Sequence, residues 1–439
     1  MEISHHSGST LAQARTIKPL ALSTLGVMIS LLLVLNGLVF RTYQISMTSP
    51  PLEAARQFGL LYVLAEIGVI LYSLRHGLDL RALWSGLPRF ARYCGVFFVS
   101  VFWIGGAFQS EMPLFATAQN IIYLIHALFG FAIYHAVSRT EASGMQRLVI
   151  AVAAGLLIFC GMTAFAFLNH PRLDTMPNNE IVWQFIIPGF ISVRLFGAFC
   201  GAIFCLLLAQ LLLDEEAKPT RPWPYVWLTI CTTMTVWSGT RNAILGIVVA
   251  MVVMVAFYRL RPNNLKPVMF LIISTGIAFW LAGRFIPYHD PAFMLIASED
   301  SASTESISGG RASYWSAVWS AYQSVPLFGA GPFASFWIVP EGAQIHVQPH
   351  NIILQFLISW GAPATVGALA LLTFATWKAH VVGLNHRNIL PFLAMLDCLL
   401  IMSLFDGMFH FAQPLMLIMI SFGVIFSARK MPDTRLTGV

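Results

Sequence analysis

Charge is scarce in this chain. Only 10% of its 439 residues are Asp, Glu, Lys or Arg, against roughly 25% in an ordinary soluble domain, and that scarcity excludes a normally solvated globular surface. Hydrophobic residues reach 57% and the mean hydropathy is +0.74. These values describe an all-α integral membrane protein. Cysteine is sparse too: Cys94, Cys160, Cys200, Cys205, Cys231 and Cys398 all fall in apolar runs without CxxC spacing, the pattern of small packing residues rather than disulfides or metal ligands. There is no HExxH and no Asp-x-Asp motif. No internal repeat is visible, which weakens a transporter built from two related halves.

What is present is a series of apolar runs, near 20–40, 57–74, 93–108, 114–137, 147–168, 188–213, 223–238, 242–258, 267–287, 351–377, 389–405 and 412–427. A helical span needs roughly 20 residues, so the series predicts about twelve transmembrane helices in a single polytopic domain covering 1–439, with Ser238-Gly239-Thr240-Arg241 as a tight turn at the membrane surface. The first run follows Arg15 and Lys18 without a small-residue cleavage site, so it reads as a retained anchor. With both termini cytoplasmic, Arg41, Arg56, Arg172, Arg194, Arg241, Arg284 and Arg311 fall outside or near the outer face, and the other 18 of the 25 basic residues fall inside. This is the positive-inside pattern. The net charge of +6 is therefore a topological signal, and no nucleic-acid partner is expected.

One hydrophilic excursion, 288–350, interrupts the apolar series on the outer face. Ile296 to Gly310 reads as a loop rich in Ser, Glu and Gly. From Arg311, the recurrence of Tyr314, Trp315, Val318, Trp319 and Tyr322 at three and four residues predicts an amphipathic helix, lying along the headgroups or packed on the bundle. Pro326, Gly329, Gly331 and Pro332 then break the chain into turns. Pro349 is placed to open a helix at His350, where helix-end amides and the dipole would disfavour imidazolium. A neutral His350 suits a general base acting on a hydroxyl; an interfacial structural histidine is the alternative. His346, four residues earlier, raises a metal-binding HxxxH, but Pro349 argues against a continuous helix and no acidic third ligand accompanies the pair.

Arg194 in FISVRLFGAF, Arg241 in SGTRNA and Arg311 in SGGRASYW stand near the outer ends of spans. There a guanidinium snorkels to headgroups or grips a phosphate with its planar fork of donors. Glu66 and Asp397 fall inside spans and are expected to pair with arginines. Asp406 could orient His350 or bind sugar hydroxyls.

From Gly310 to Gly361 the chain resembles the O-antigen ligase and polymerase superfamily of bacterial membrane glycosyltransferases. The matching positions are Gly310-Arg311, Trp315, Pro326, Gly329, Gly331, His350-Asn351 and Gly361, with Ser238 to Arg241 and Val193 to Gly197 as further shared features; the signature region spans 308–380. The resemblance implies a bacterial inner-membrane enzyme with its active site facing the periplasm. It would transfer a glycan from undecaprenyl pyrophosphate to a hydroxyl of lipid A core (a ligase), of another carrier-linked glycan (a polymerase) or of a protein. Neither a metal nor another cofactor is implied. On that footing His350 is the expected base, while Arg194, Arg241, Arg311 and Asn351 are the expected substrate-binding residues. A transporter of a lipid-linked solute and an assembly scaffold are the readings from other classes.

Overall fold

The computed structural model describes residues 59–139, 142–169, 193–217, 223–262, 265–285, 311–339 and 348–428. The expected first span at 20–40, the loop Ile296 to Gly310, and His346 lie outside them. Among the described residues every regular element is helical. In chain order the helices are α1 (Leu60–Arg75), α2 (Leu80–Gly86), α3 (Arg89–Phe108), α4 (Pro113–Val137), α5 (Ala142–Asn169), α6 (Val193–Ala217), α7 (Trp223–Trp237), α8 (Arg241–Tyr258), α9 (Lys266–Phe285), α10 (Arg311–Tyr322), α11 (Ser335–Ile338), α12 (Ile352–Asn385), α13 (Leu390–Ser403) and α14 (Ala412–Ser427).

Five of these are long and apolar enough to cross a membrane, over Pro113–Val137, Arg147–Phe165, Val193–Leu213, Arg241–Tyr258 and Ile352–Asn385. A bent pair, α1 with α2, turns by 92° and adds a sixth if counted as one span. Most remaining expected runs are helical but shorter. At about 1.5 Å per residue, α13 reaches only about 21 Å against a hydrocarbon core of about 30 Å. The expected turn from Ser238 is present, with Gly239 at φ 63° between α7 and α8.

Helix α6 is the centre of the bundle: 94% of its span is buried, against α13, α7 and α8. Helix α14 packs along α4, and α12 along α3. All six cysteines are free thiols, five of them buried. The acidic groups inside spans do not pair with arginine as expected. His126 Nδ1 lies 2.7 Å from Glu66 Oε2 and His380 Nε2 lies 3.1 Å from Asp397 Oδ1. The physical reason is that histidine and a carboxylate can share one proton and bury no net charge, whereas arginine keeps its charge in every setting.

The segment after α10 is fastened to a break in α12. Gly361 leaves the helix at φ 76° and ψ 172°, and Pro363 supplies no amide for the turn beyond. The freed carbonyls of Ile358 and Ser359 accept from Ala330 N (2.8 Å) and Gly331 N (2.9 Å), while Ala362 N donates to Pro326 O (2.9 Å). A Cβ on Gly361 would stand 2.2 Å from Leu327 O, and one on Gly329 2.5 Å from Trp360 N. Backbone lies against backbone, which is why this stretch needs glycine. The surface helix α10 buries Tyr314, Val318 and Tyr322 against the bundle and leaves Trp319 48% exposed.

Candidate active site

A single carboxylate gathers the ends of four segments. Asp406 lies in the turn between α13 and α14, 4% exposed, with Gly407 N donating to its Oδ1 at 2.8 Å. His350 Nδ1 reaches the same oxygen at 2.8 Å. Oδ2 takes Asn242 Nδ2 at 3.3 Å and faces Arg311 Nη2 at 3.5 Å. Burial pushes the Asp406 carboxyl up, but the hydrogen bond and charge of His350, the Arg311 charge and the Gly407 amide outweigh it. They hold the group well below the usual carboxylate range. An ionised Asp406 accepts a hydrogen bond from the Nδ1–H of the imidazole, which assigns the ring's lone pair to Nε2.

His350 is not in the first turn of α12, as the sequence suggested from Pro349. It stands before the N-cap at φ 54°, and the helix opens at Ile352. The cap is Asn351, whose Oδ1 accepts from Ile353 N (2.9 Å) and Leu354 N (3.1 Å); asparagine outcompetes proline as a helix opener here because it satisfies two otherwise unpaired amides. The Asn351 Nδ2 donates to Leu404 O at 3.0 Å, tying the start of α12 to the turn that carries Asp406. Asn351 thus builds the scaffold beneath the site. The electrostatic partner of His350 is a carboxylate rather than the helix-end amides.

Arg311 opens α10 and donates through Nη1 to Phe405 O. Burial and the nearby charge of Arg194 make its cation less favourable, while Asp406 opposes them. Arg194 stands in the first turn of α6, one turn before Gly197. A Cβ on Gly197 would lie 2.0 Å from Ser238 Oγ and 2.2 Å from Thr240 Oγ1, so glycine lets the Ser238 to Arg241 turn dock directly on α6. Thr240 Oγ1 donates to Arg194 O at 3.3 Å. The two short arginine motifs are therefore halves of one joint. Arg241 begins α8 beside Asn242, the residue that contacts Asp406.

Residues 225–369 match the family model for O-antigen ligase. Over that stretch the chain is similar to the O-antigen ligase and polymerase superfamily. No curated protein matches the chain. The O-antigen ligase match includes Arg241, Arg311, His350 and Asn351 and stops short of Arg194 and Asp406, which geometry alone attaches to the site. It supports a multi-pass membrane protein with glycosyltransferase-like function of ligase or polymerase type, acting on lipid-linked glycans in a bilayer.

Behind His350 lies a small polar recess lined by Tyr123, Ser335, Gln348, Gln355, Ser359 and His410, with space for about one water. His410 is 5% exposed. Burial, with a smaller contribution from the charge of His350, pulls it down to about 3, so it stays neutral. Asn242 and Gln348 were not singled out from sequence, and only adjacency to Arg241 and His350 could have flagged them; His410 stood out only as a neighbour of Asp406 at the end of an apolar run.

Proposed function

We propose that the chain is an O-antigen ligase, moving a glycan from undecaprenyl pyrophosphate to lipid A core at the periplasmic face of the inner membrane, with inversion and without metal. The observation that carries this reading is the pair of partly buried His350 and buried Asp406, set among the cationic ends of α6, α8 and α10.

His350 Nε2 accepts the proton of the acceptor hydroxyl, and Asp406 keeps Nδ1 protonated so that Nε2 is the basic nitrogen. The hydroxyl oxygen then forms its bond to the anomeric carbon as the bond from that carbon to the pyrophosphate oxygen breaks. Attack in line with departure inverts the carbon. A positioned base of this kind contributes on the order of 10²-fold to 10⁴-fold.

Charge supports the donor. Three guanidinium groups, Arg194, Arg241 and Arg311, against one carboxylate, Asp406, leave an excess of two positive charges. A pyrophosphate diester brings two negative charges and gains one more on leaving. Preorganised donors aimed at that developing charge are each worth about 3 kcal/mol or more, and guanidinium forks match phosphate oxygens. Arg311, partly stripped of water and set beside Arg194, is stabilised by such an anion.

The acceptor is tested by purified protein with undecaprenyl-pyrophosphate glycan and, separately, lipid A core, excess donor or an acceptor protein. Product on lipid A core supports the ligase reading. Lengthened donor chains would make it a polymerase, and modified protein an oligosaccharyltransferase. Donor binding with no product on any acceptor would favour transport.

A further inference from the structure

His350 holds a left-handed backbone, φ 54°, which a side chain with a Cβ adopts only when its surroundings over-determine it. Its amide N–H donates to Gln348 Oε1 at 2.8 Å. That N–H demands the amide oxygen, so Gln348 Nε2 is left facing the ring, 2.9 Å from His350 Nδ1; with Nδ1 donating to Asp406 the two nitrogens are both donors, and the bond that holds the turn is the one to Oε1.

Gln348 is 2% exposed and lies flat on Gly407. A Cβ added to Gly407 would stand 2.6 Å from Gln348 Cδ and Oε1 and 2.7 Å from Nε2, so any larger residue displaces the whole amide. The N–H of Gly407 donates to Asp406 Oδ1, the oxygen that His350 also meets. One peptide unit therefore seats the glutamine and aims the carboxylate. Between Gln348 and His350, Pro349 O accepts from Trp315 Nε1 of α10 at 2.6 Å, fixing the middle of the turn from the opposite side.

We infer that Gln348 is a positioning residue, seated on Gly407, that holds His350 in the left-handed turn from which its ring meets Asp406. The inference rests on the glycosyltransfer reading of His350 for its kinetic consequence, while its geometry stands independently. A glutamine that merely filled space would tolerate loss of its amide, and the Gly407 methyl would act separately from it. A clamp couples the two.

The test uses the full-length protein with Gln348→Ala, Gly407→Ala, the double variant and Gln348→Glu, which keeps an acceptor for the His350 N–H. Two measurements are made. One is transfer kinetics. The other is the rate at which diethyl pyrocarbonate modifies His350 between about pH 5 and 8, followed by peptide mass spectrometry, which needs no substrate. Expected are a fall in kcat of roughly tenfold or more in Gln348→Ala and in Gly407→Ala with donor KM within about twofold, a shifted modification profile in both, and recovery in Gln348→Glu. The double variant is expected to be no worse than Gln348→Ala, because the removed amide leaves room for the new Cβ. Multiplying losses, or a wild-type modification profile in both single variants, overturns the clamp. Should Gln348→Ala fail to fold, Gln348→Glu, which keeps the acceptor for the His350 N–H, and Gly407→Ala, which keeps the glutamine itself, decide the matter. If the wild-type protein transfers no glycan, the enzymatic reading fails while the modification profile still judges the clamp.

Discussion

His350 Nδ1 and Asp406 Oδ1 lie 2.8 Å apart across 56 residues of chain, and this contact closes the site between the start of α12 and the turn after α13. The carboxylate does more than neutralise: it selects the ring tautomer that leaves Nε2 able to accept a proton.

Asp406→Asn keeps the shape and removes the charge. An amide there can present its nitrogen to Nδ1 and hold the opposite tautomer, so kcat is expected to fall on the order of 10²-fold or more, with donor binding retained. Because the folded carboxyl is held far below its ordinary value, its stabilising charge is present above about pH 4 and is lost only in strong acid. The wild-type pH–rate profile should therefore show no limb from Asp406 between about pH 5 and 9.

Arg311→Lys separates a phosphate grip from simple charge. An ammonium cannot reach Phe405 O, Asp406 and a phosphate with one planar fork. Transfer kinetics should show at least about a tenfold loss of kcat/KM; wild-type activity would mean that Arg311 anchors to headgroups.

His410 gives the folded protein a pH-dependent stability. Its folded value is near 3 against 6.5 for an ordinary histidine, so the unfolded chain binds a proton that the folded one refuses throughout that window. Stability is present above about pH 6.5 and falls as pH drops toward 3, by up to about 1.4 kcal/mol per pH unit. Thermal unfolding in detergent at about pH 7 and 5 should show about 2 kcal/mol of loss in wild type and clearly less in His410→Gln.

Gly361→Ala should destabilise the protein by more than about 2 kcal/mol. The new Cβ meets Leu327 O at 2.2 Å in a backbone region that disfavours it. Gly276→Ala, where a Cβ meets nothing within 4 Å, is the control in the same unfolding assay.

The helices were legible because apolar runs and the Ser238 turn are local patterns, and the Gly310 to Gly361 motif carried the resemblance that the family match over 225–369 supports. The break at Gly361 was not: the sequence shows a glycine two residues before Pro363, but only the pairing of Ala330 and Gly331 with α12 explains why both must be there. Asp406 carried two possible roles, because no spacing links position 406 to 350; the tie of Asn351 to Leu404 O and the His350–Asp406 contact bring them together. The arginine expectation for Glu66 and Asp397 failed for the same reason, since the partners His126 and His380 are distant in sequence and charge economy inside the bundle favours a proton-sharing pair.

The most direct measurement is single-turnover transfer by His350→Ala beside the wild type, with donor binding measured on the same samples. The account predicts wild-type donor affinity, a folded protein and a loss of transfer on the order of 10²-fold or more. Transfer at the wild-type rate would remove His350 from the chemistry and contradict the account.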